Sequence, residues 1–333
     1  MTKPISRRTL LASTAALAAS ATVPRSAEAA DWRPTETVRI IVPAAPGGST
    51  DVMGRYLAQH LQMAWGQSCV VENRAGGGGT IGVAEVARSK GDGHTILIGN
   101  PGPNAVAYSI FRTLPYKSEQ LQPVSNMIRI PNIISATAST PVKSIPELIA
   151  FLKANPDKLT YGTSGVGQSP HLTAVWFMQL TGLKMTHVPF RGAGPALTAA
   201  LGGQIDILFD NLYPSLPQAK DGKLKALAVT TPERSFQAPE IPTMKESAPE
   251  LKNFDVSSWF GVFLPAGAPQ PVLDALNGEV KKLLEREDIK KNLNGMGAVP
   301  DYGTPAQFSA FVKAETDKFG EIIRKEGLQM DVN

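Results

Sequence analysis

The 333-residue sequence predicts an α/β fold arranged as two βα domains, and three observations carry that expectation. From Val38 onward, short β-branched runs alternate with stretches of helical periodicity, the pattern of a parallel sheet with helices on its faces. Two long extended runs, Gln122–Ser135 and Val256–Leu264, stand outside that alternation and read as crossovers between domains. The chain is also longer than a usual single domain, with 42% hydrophobic and 19% charged residues to furnish its cores. The expected division is 30–130 with 258–333 as domain 1, and 131–257 as domain 2.

The first residues stand apart from this fold. Lys3, Arg7 and Arg8 precede the short apolar run Leu10–Ala18, and Ala27-Glu-Ala29 supplies an A-x-A cleavage site. Residues 1–29 are therefore expected to be a signal peptide for export to the periplasm. Ser6-Arg-Arg-Thr-Leu-Leu11 fits a twin-arginine signal loosely, and Sec export fits as well. Cleavage removes Lys3, Arg7, Arg8 and Arg25 with the single acid Glu28, which takes the formal charge from +4 to +1. Nucleic-acid binding loses its electrostatic support on that count. Cys69 is the one cysteine, so no internal disulfide forms, and its apolar strand Ser68–Glu72 predicts an inert core thiol.

The stretch Val42–Asp51 organises the first domain. A buried strand, Val38–Val42, runs into Pro43 and Pro46, which stiffen the turn, and into Gly47 and Gly48, which let the backbone approach a bound group. Ser49, Thr50 and Asp51 each read as an N-cap of the helix that follows at about 50–64. Orphan N–H groups at such a strand-to-helix turn suit a carboxylate or phosphate. A well-capped βα turn without a ligand is the plainer reading.

Further along, Cys69–Glu72 reads as a strand, Asn73–Gly79 as a glycine loop and Ile81–Ser89 as a helix capped by Thr80. Gly77, Gly79 and Gly82 match the dinucleotide fingerprint by letter, but the next strand, His94–Gly99, ends in Asn100 and not in the ribose-binding acid. No cofactor is expected. The loop Asn100–Asn104 leads into a helix near Ala105–Phe111. In the second domain Ser144 starts a helix through Ala154, and the strand Leu159–Gly162 feeds the Gly/Ser/Thr turn Thr163–His171. Ser169 is the expected N-cap there, with Pro170 at the first helical position. The strands Met185–Phe190, Ile205–Asp210 and Lys223–Val229 follow, then an irregular stretch, Thr231–Leu251. Helices Val272–Glu285 and Pro305–Glu326 close the chain. Asp210, at a strand end, reads equally as an acceptor for a ligand ammonium or as a cap of the next turn.

With these segments placed, the sequence resembles the Bug-type substrate-binding receptors of tripartite tricarboxylate transporters. The resemblance rests on Ile41–Asp51, Val71–Gly82, Leu159–Leu172, Val188–Leu197 and Gly202–Asp206, in that order, and covers essentially the whole mature chain. It implies a type II periplasmic-binding fold, with two hinge strands and a ligand cleft between the domains. It further implies a carboxylate held, often through waters, against Pro46, Gly47, Gly48, Ser49 and Asp51 on one side. Ser164, Gly165, Gln168 and Ser169 would complete the cage on the other, with Asp210 near the variable end. Where the family often carries Thr or Ser in the third loop, this chain has Asn100-Pro-Gly-Pro-Asn104, leaving Asn104 as the polar candidate.

The expected function is a non-enzymatic receptor that captures a small carboxylate and delivers it to integral-membrane permease subunits, acting as a monomer. A periplasmic ligand sensor for a membrane kinase needs the same closing receptor. An exported serine hydrolase using Ser164 with His171 or His187 is the alternative enzyme, although Gly162-Thr-Ser-Gly165 lacks the nucleophile-elbow frame. Neither histidine has a carboxylate or cysteine at metal spacing, so both are read as structural and no metal site is expected.

Overall fold

The computed structural model describes residues 32–325 together with Gly327 and Gln329. The expected signal peptide, 1–29, lies outside the described residues. In chain order the elements are β1 Val38–Val42, α1 Ser49–Trp65, β2 Cys69–Asn73, α2 Thr80–Ala87, β3 Thr95–Gly99, α3 Ala107–Ile110 and β4 Leu121–Thr137. There follow α4 Ile145–Ala154, β5 Thr160–Thr163, α5 Ser169–Thr181, β6 Thr186–Pro189, α6 Ala193–Leu201 and β7 Ile207–Asn211. The chain ends with α7 Leu212–Lys220, β8 Leu224–Val229, α8 Met244–Ser247, β9 Ser257–Pro265, α9 Gln270–Glu285, α10 Glu287–Gly295, β10 Val299–Pro300 and α11 Pro305–Lys325.

The sheet is mixed, not parallel throughout. Its strand order is β2-β1-β3-β9-β4-β7-β5-β6, with β8 and β10 also paired to β4. β1 is parallel to β2 and β3, and β5 is parallel to β6 and β7, as βα units require. β9 runs antiparallel to both β3 and β4, because the two long strands cross the molecule in opposite directions. β4 serves both ends of the sheet. Leu121–Pro131 pairs with β9, after which Asn132 pairs with Asn211 of β7 and Ile133 with Val229 of β8. Pro131 stands at the hand-over, where a missing N–H donor costs least. It does not interrupt the strand.

Two apolar clusters lie on either side of that hand-over. One gathers Ile41, Val83, Leu97, Ile110, Phe263 and Phe308 around Trp259, whose ring meets Phe308 edge-on at 5.7 Å. The other gathers Ile134, Leu148, Phe177, Phe209, Leu227 and Phe254. The helices bury one stripe each into these clusters, and their starts follow the expected chemistry in part. The Ser144 hydroxyl caps α4 by accepting from the Glu147 N–H, with Pro146 in the first turn. The helix α10 and the short β10 escaped the sequence reading. α10 carries few apolar positions, chiefly Ile289 and Leu293, too sparse a stripe to separate it from surface loop. Among the described residues, no helix is long and apolar enough to cross a membrane.

Candidate functional site

Four strand ends converge on one place: the turns after β1, β3, β5 and β7. The turn after β1 delivers Gly48, Ser49 and Thr50 to a small inner cavity of about 20 Å³, also lined by Ser164, Gln168 and Asn211. A larger outer chamber of about 360 Å³ lies beside it, walled by Pro43, Gly76–Gly79, Phe111, Phe190 and Arg191. Ser164 and Gln168 border both spaces.

The surrounding loops touch directly, the one after β1 meeting the one after β6 and the one after β5 meeting the one after β2. The Ala45 N–H donates to the Arg191 carbonyl at 2.9 Å, and Gln168 Nε2 donates to the Gly78 carbonyl at 2.7 Å. The glycines permit this approach. A Cβ built on Gly78 would sit 2.1 Å from the Val166 carbonyl oxygen, and one on Gly48 would sit 3.1 Å from the Ala193 Cβ. Pro46 and Gly47 form the exposed outer seam against Gly194 and do not line the inner cavity.

The capping differs from expectation, and the difference matters. α1 is capped by Gly48, and none of Ser49, Thr50 and Asp51 satisfies the first turn's N–H groups from an N-cap position. α5 begins one residue earlier than expected, with Gln168 as its N-cap and no side-chain cap, so Ser169 is the first helical residue. α2 likewise starts at Thr80 behind Gly79. Two helix starts without side-chain caps therefore open on the inner cavity, and every side chain lining that cavity is formally uncharged. Oriented N–H groups beside a cavity with no charged side chain at its wall make a site for an anion.

Several expected contacts are already committed inside the protein. The Asp51 carboxylate accepts from the Gly47 N–H at 3.1 Å, from Asn73 Nδ2 at 3.0 Å and from both Arg55 nitrogens at 3.0 Å. Burial opposes its ionisation, but the Arg55, Asn73 and Gly47 hydrogen bonds outweigh burial and hold it below the usual carboxylate range. Asp51 braces the turn; it is not available to face a ligand. Asp210 is fully buried and accepts from the Ser215 hydroxyl and the Asn211 N–H, both at 2.8 Å. Of its two readings the turn cap is the one realised, and burial pushes its carboxyl up to about 7. Ser169 accepts from Asn132 Nδ2 at 2.7 Å. Gly165, with φ of 134°, borders the outer chamber, and Asn104 accepts from the Asn100 N–H while its Nδ2 is buried without a partner.

The histidines are structural. His171 Nδ1 accepts from the Gly167 N–H at 3.2 Å, and His187 Nε2 lies 2.8 Å from the Thr163 hydroxyl. The rings stack at 4.6 Å, and Tyr161 stacks on His187 at 4.7 Å. Burial, with the neighbouring His187 as a smaller cause, lowers His171 to about 3; burial alone lowers His187 to about 4. No hydrogen bond ties Ser164 to either ring, so the hydrolase arrangement is not assembled among the described residues. Cys69 is half-buried, donates to the Gln67 carbonyl, and is pushed up to about 11 by burial, which makes it a poor nucleophile.

The residues 53–328 match the family model described as the tripartite tricarboxylate transporter family receptor. This chain belongs to that family. Its relatives include the protein BugT of Bordetella pertussis, 35% identical over 303 residues, 90% of this chain and 92% of BugT. Among solved structures, an R. palustris protein with adipate is 34% identical with a TM-score of 0.85, covering 89% of this chain and 99% of that one. MatC from Rhodopseudomonas palustris, with bound malate, is 30% identical with a TM-score of 0.83, covering 87% of this chain and 99% of MatC. The family is one of substrate-binding receptors of the Bug type, and the fold is that of periplasmic binding proteins such as BugD, 32% identical with a TM-score of 0.84 and covering 89% of this chain and 99% of that one.

Sequence reasoning missed Asn132, Asn211 and Ser258, which form a buried polar knot beneath the cavity. The available signal was an asparagine inside the apolar run Ile130-Pro-Asn-Ile-Ile134: a buried polar group in a central strand needs a partner.

Proposed function

We propose that the protein is an extracytoplasmic receptor that captures a small carboxylate between two domains and presents it to a membrane permease of the tripartite tricarboxylate type. In this reading residues 30–130 with 258–333 form one domain and 131–257 the other. β4 and β9 are the hinge, and the seam between the turns is the closed state. Gly48, Ser49, Ser164 and Gln168 are the ligand-facing residues, while Asp51, Ser169 and Asp210 hold their neighbours in place. The single observation that carries it is the pair of helix starts without side-chain caps, opening on one cavity with no charged side chain. The adipate and malate found in related structures point the same way. Export by the N-terminal signal would place the receptor in the periplasm.

The test is calorimetric titration of the mature chain against mono-, di- and tricarboxylates, amino acids and aromatic acids, with mass spectrometry of any co-purified acid. Binding of at least one acid, with compaction in small-angle scattering, is the expected result. Silence across the whole panel would overturn the reading.

A further inference from the structure

The polarity of every group in the knot beneath the cavity can be fixed from one backbone carbonyl. The Ser169 carbonyl oxygen only accepts, so the Thr173 hydroxyl, 2.9 Å away, spends its one hydrogen there. Its contact with Asn132, also at 2.9 Å, must then be donated by Asn132 Nδ2, which also donates to the Ser169 hydroxyl at 2.7 Å. The nitrogen end of the Asn132 amide thus faces α5, and its oxygen faces the other way. Asn132 Oδ1 accepts from Asn211 Nδ2 at 2.8 Å and from the Ser258 hydroxyl at 3.0 Å. With the Ser258 hydrogen spent, its 2.6 Å contact with Asn211 is donated by Asn211 Nδ2. Both amide hydrogens of Asn211 are now used inside the protein. Only its Oδ1 is left, and Asn211 lines the inner cavity.

From this relay we infer that Asn211 is a specificity-determining residue that offers a hydrogen-bond acceptor, not a donor, so that the preferred ligand is a hydroxy acid. The inference rests on the receptor reading and sharpens it. An unsubstituted acid would set a CH₂ group against Oδ1 and leave a desolvated acceptor unpaired, which costs more than the bond itself returns. An ammonium would also donate, but stripping it of water against one neutral oxygen, in a cavity with no carboxylate at its wall, is costly. A hydroxyl meets the demand without a charge.

The experiment is calorimetry on the full mature chain with matched acids of two to six carbons, each unsubstituted acid set against its 2-hydroxy form in both enantiomers. Succinate and malate are joined by aspartate as the amino counterpart. One hydroxy enantiomer is expected to bind about tenfold or more tighter than its unsubstituted partner, as one hydrogen bond would give, and malate tighter than aspartate. Asn211→Leu, which keeps the bulk and loses the acceptor, is expected to bring the hydroxy preference down to within about threefold. If that variant does not fold, the wild-type ratios at two chain lengths carry the same test. Unsubstituted acids that bind as tightly as both hydroxy enantiomers, aspartate preferred to malate, or a folded Asn211→Leu that keeps the preference would overturn the assignment while leaving the receptor standing. Absence of heat with every acid is a different outcome, and it removes the receptor reading and this inference together.

Discussion

Gly78→Ala isolates closure from folding. The added Cβ would lie 2.1 Å from the Val166 carbonyl oxygen across the seam, over an ångström inside ordinary contact, and both partners are backbone. Neither can rotate away, so the seam itself has to part. Parting by that amount breaks the Gln168 Nε2 bond to the Gly78 carbonyl (2.7 Å) and strains the Ala45 to Arg191 backbone bond (2.9 Å). At about 1 kcal/mol for each bond, the closed state loses roughly 2 kcal/mol, or about thirtyfold in affinity. A separate backbone cost must be subtracted, because φ at Gly78 is +64° and a left-handed alanine costs about 1 kcal/mol in open and closed forms alike. Gly66→Ala supplies the control: φ is +69°, and nothing lies within 4 Å of the added Cβ. Both variants should lose similar stability in thermal unfolding, and only Gly78→Ala should lose affinity for the tightest acid of the panel and fail to compact in small-angle scattering. Equal affinities for the two variants would refute the idea that this seam closes over the ligand.

Asp210, raised to about 7 in the fold, ionises near 4 when unfolded, so its contribution is fully present below pH 4 and is lost as pH rises to 7. Three pKa units correspond to about 4 kcal/mol at most. Asp210→Asn should therefore become progressively more stable relative to wild type between pH 4 and 8 in urea titrations, and a pH-independent difference would contradict it. His171 and His187 act in the opposite direction. Their folded values lie below the usual 6.5, so stability present above that pH is lost as pH falls toward 4, and a His171→Phe variant should flatten that acid limb. Phe308→Ala removes a fully buried ring that meets Trp259 at 5.7 Å and Phe263 at 5.0 Å, and should lower unfolding free energy by about 3–5 kcal/mol without altering ligand affinity.

Much of the frame could be read from residue order, because βα units announce themselves through local signals. The β-branched run before Pro43, the Ser144 cap with Pro146, and the apolar stripe of α9 all depend on neighbours within one or two turns. Strand direction at the centre did not follow from such signals. The antiparallel course of β9 depends on which long strand it meets, a partner more than a hundred residues away. The candidate site divides in the same way. The two glycine turns were legible as strand-to-helix turns with free N–H groups because their chemistry is local. The commitments of Asp51 to Arg55 and Asn73, and of Asp210 to Ser215, were not, since a carboxylate at a turn looks the same whether it faces a ligand or braces the backbone. α2 illustrates the limit in miniature, with Thr80 an apparent cap whose place is taken by Gly79 at φ 97°, a conformation open to glycine.

In the proposed hinge reading, the hand-over in β4 is where a continuous sheet would support movement. Within a central strand every residue normally contributes two ladder bonds, and bending it would sacrifice them. Pro131 has no N–H to sacrifice, so the strand is weakest in backbone bonding where its partner changes from β9 to β7 and β8. One residue later the Asn132 side chain restores four buried bonds, to Ser169, Thr173, Asn211 and Ser258. Two of those partners, Asn211 and Ser258, line the inner cavity, and Ser258 belongs to the second crossover strand. Beside a ladder short of one N–H, these side-chain bonds, whose geometry is satisfied at one angle, add to the backbone bonds that Asn132 keeps. A strand with an even ladder through this point would hold the two clusters rigidly. A strand with neither ladder nor knot would let them swing without a preferred stop. In that reading, proline followed by asparagine makes a joint that would bend cheaply and still settle at a defined angle.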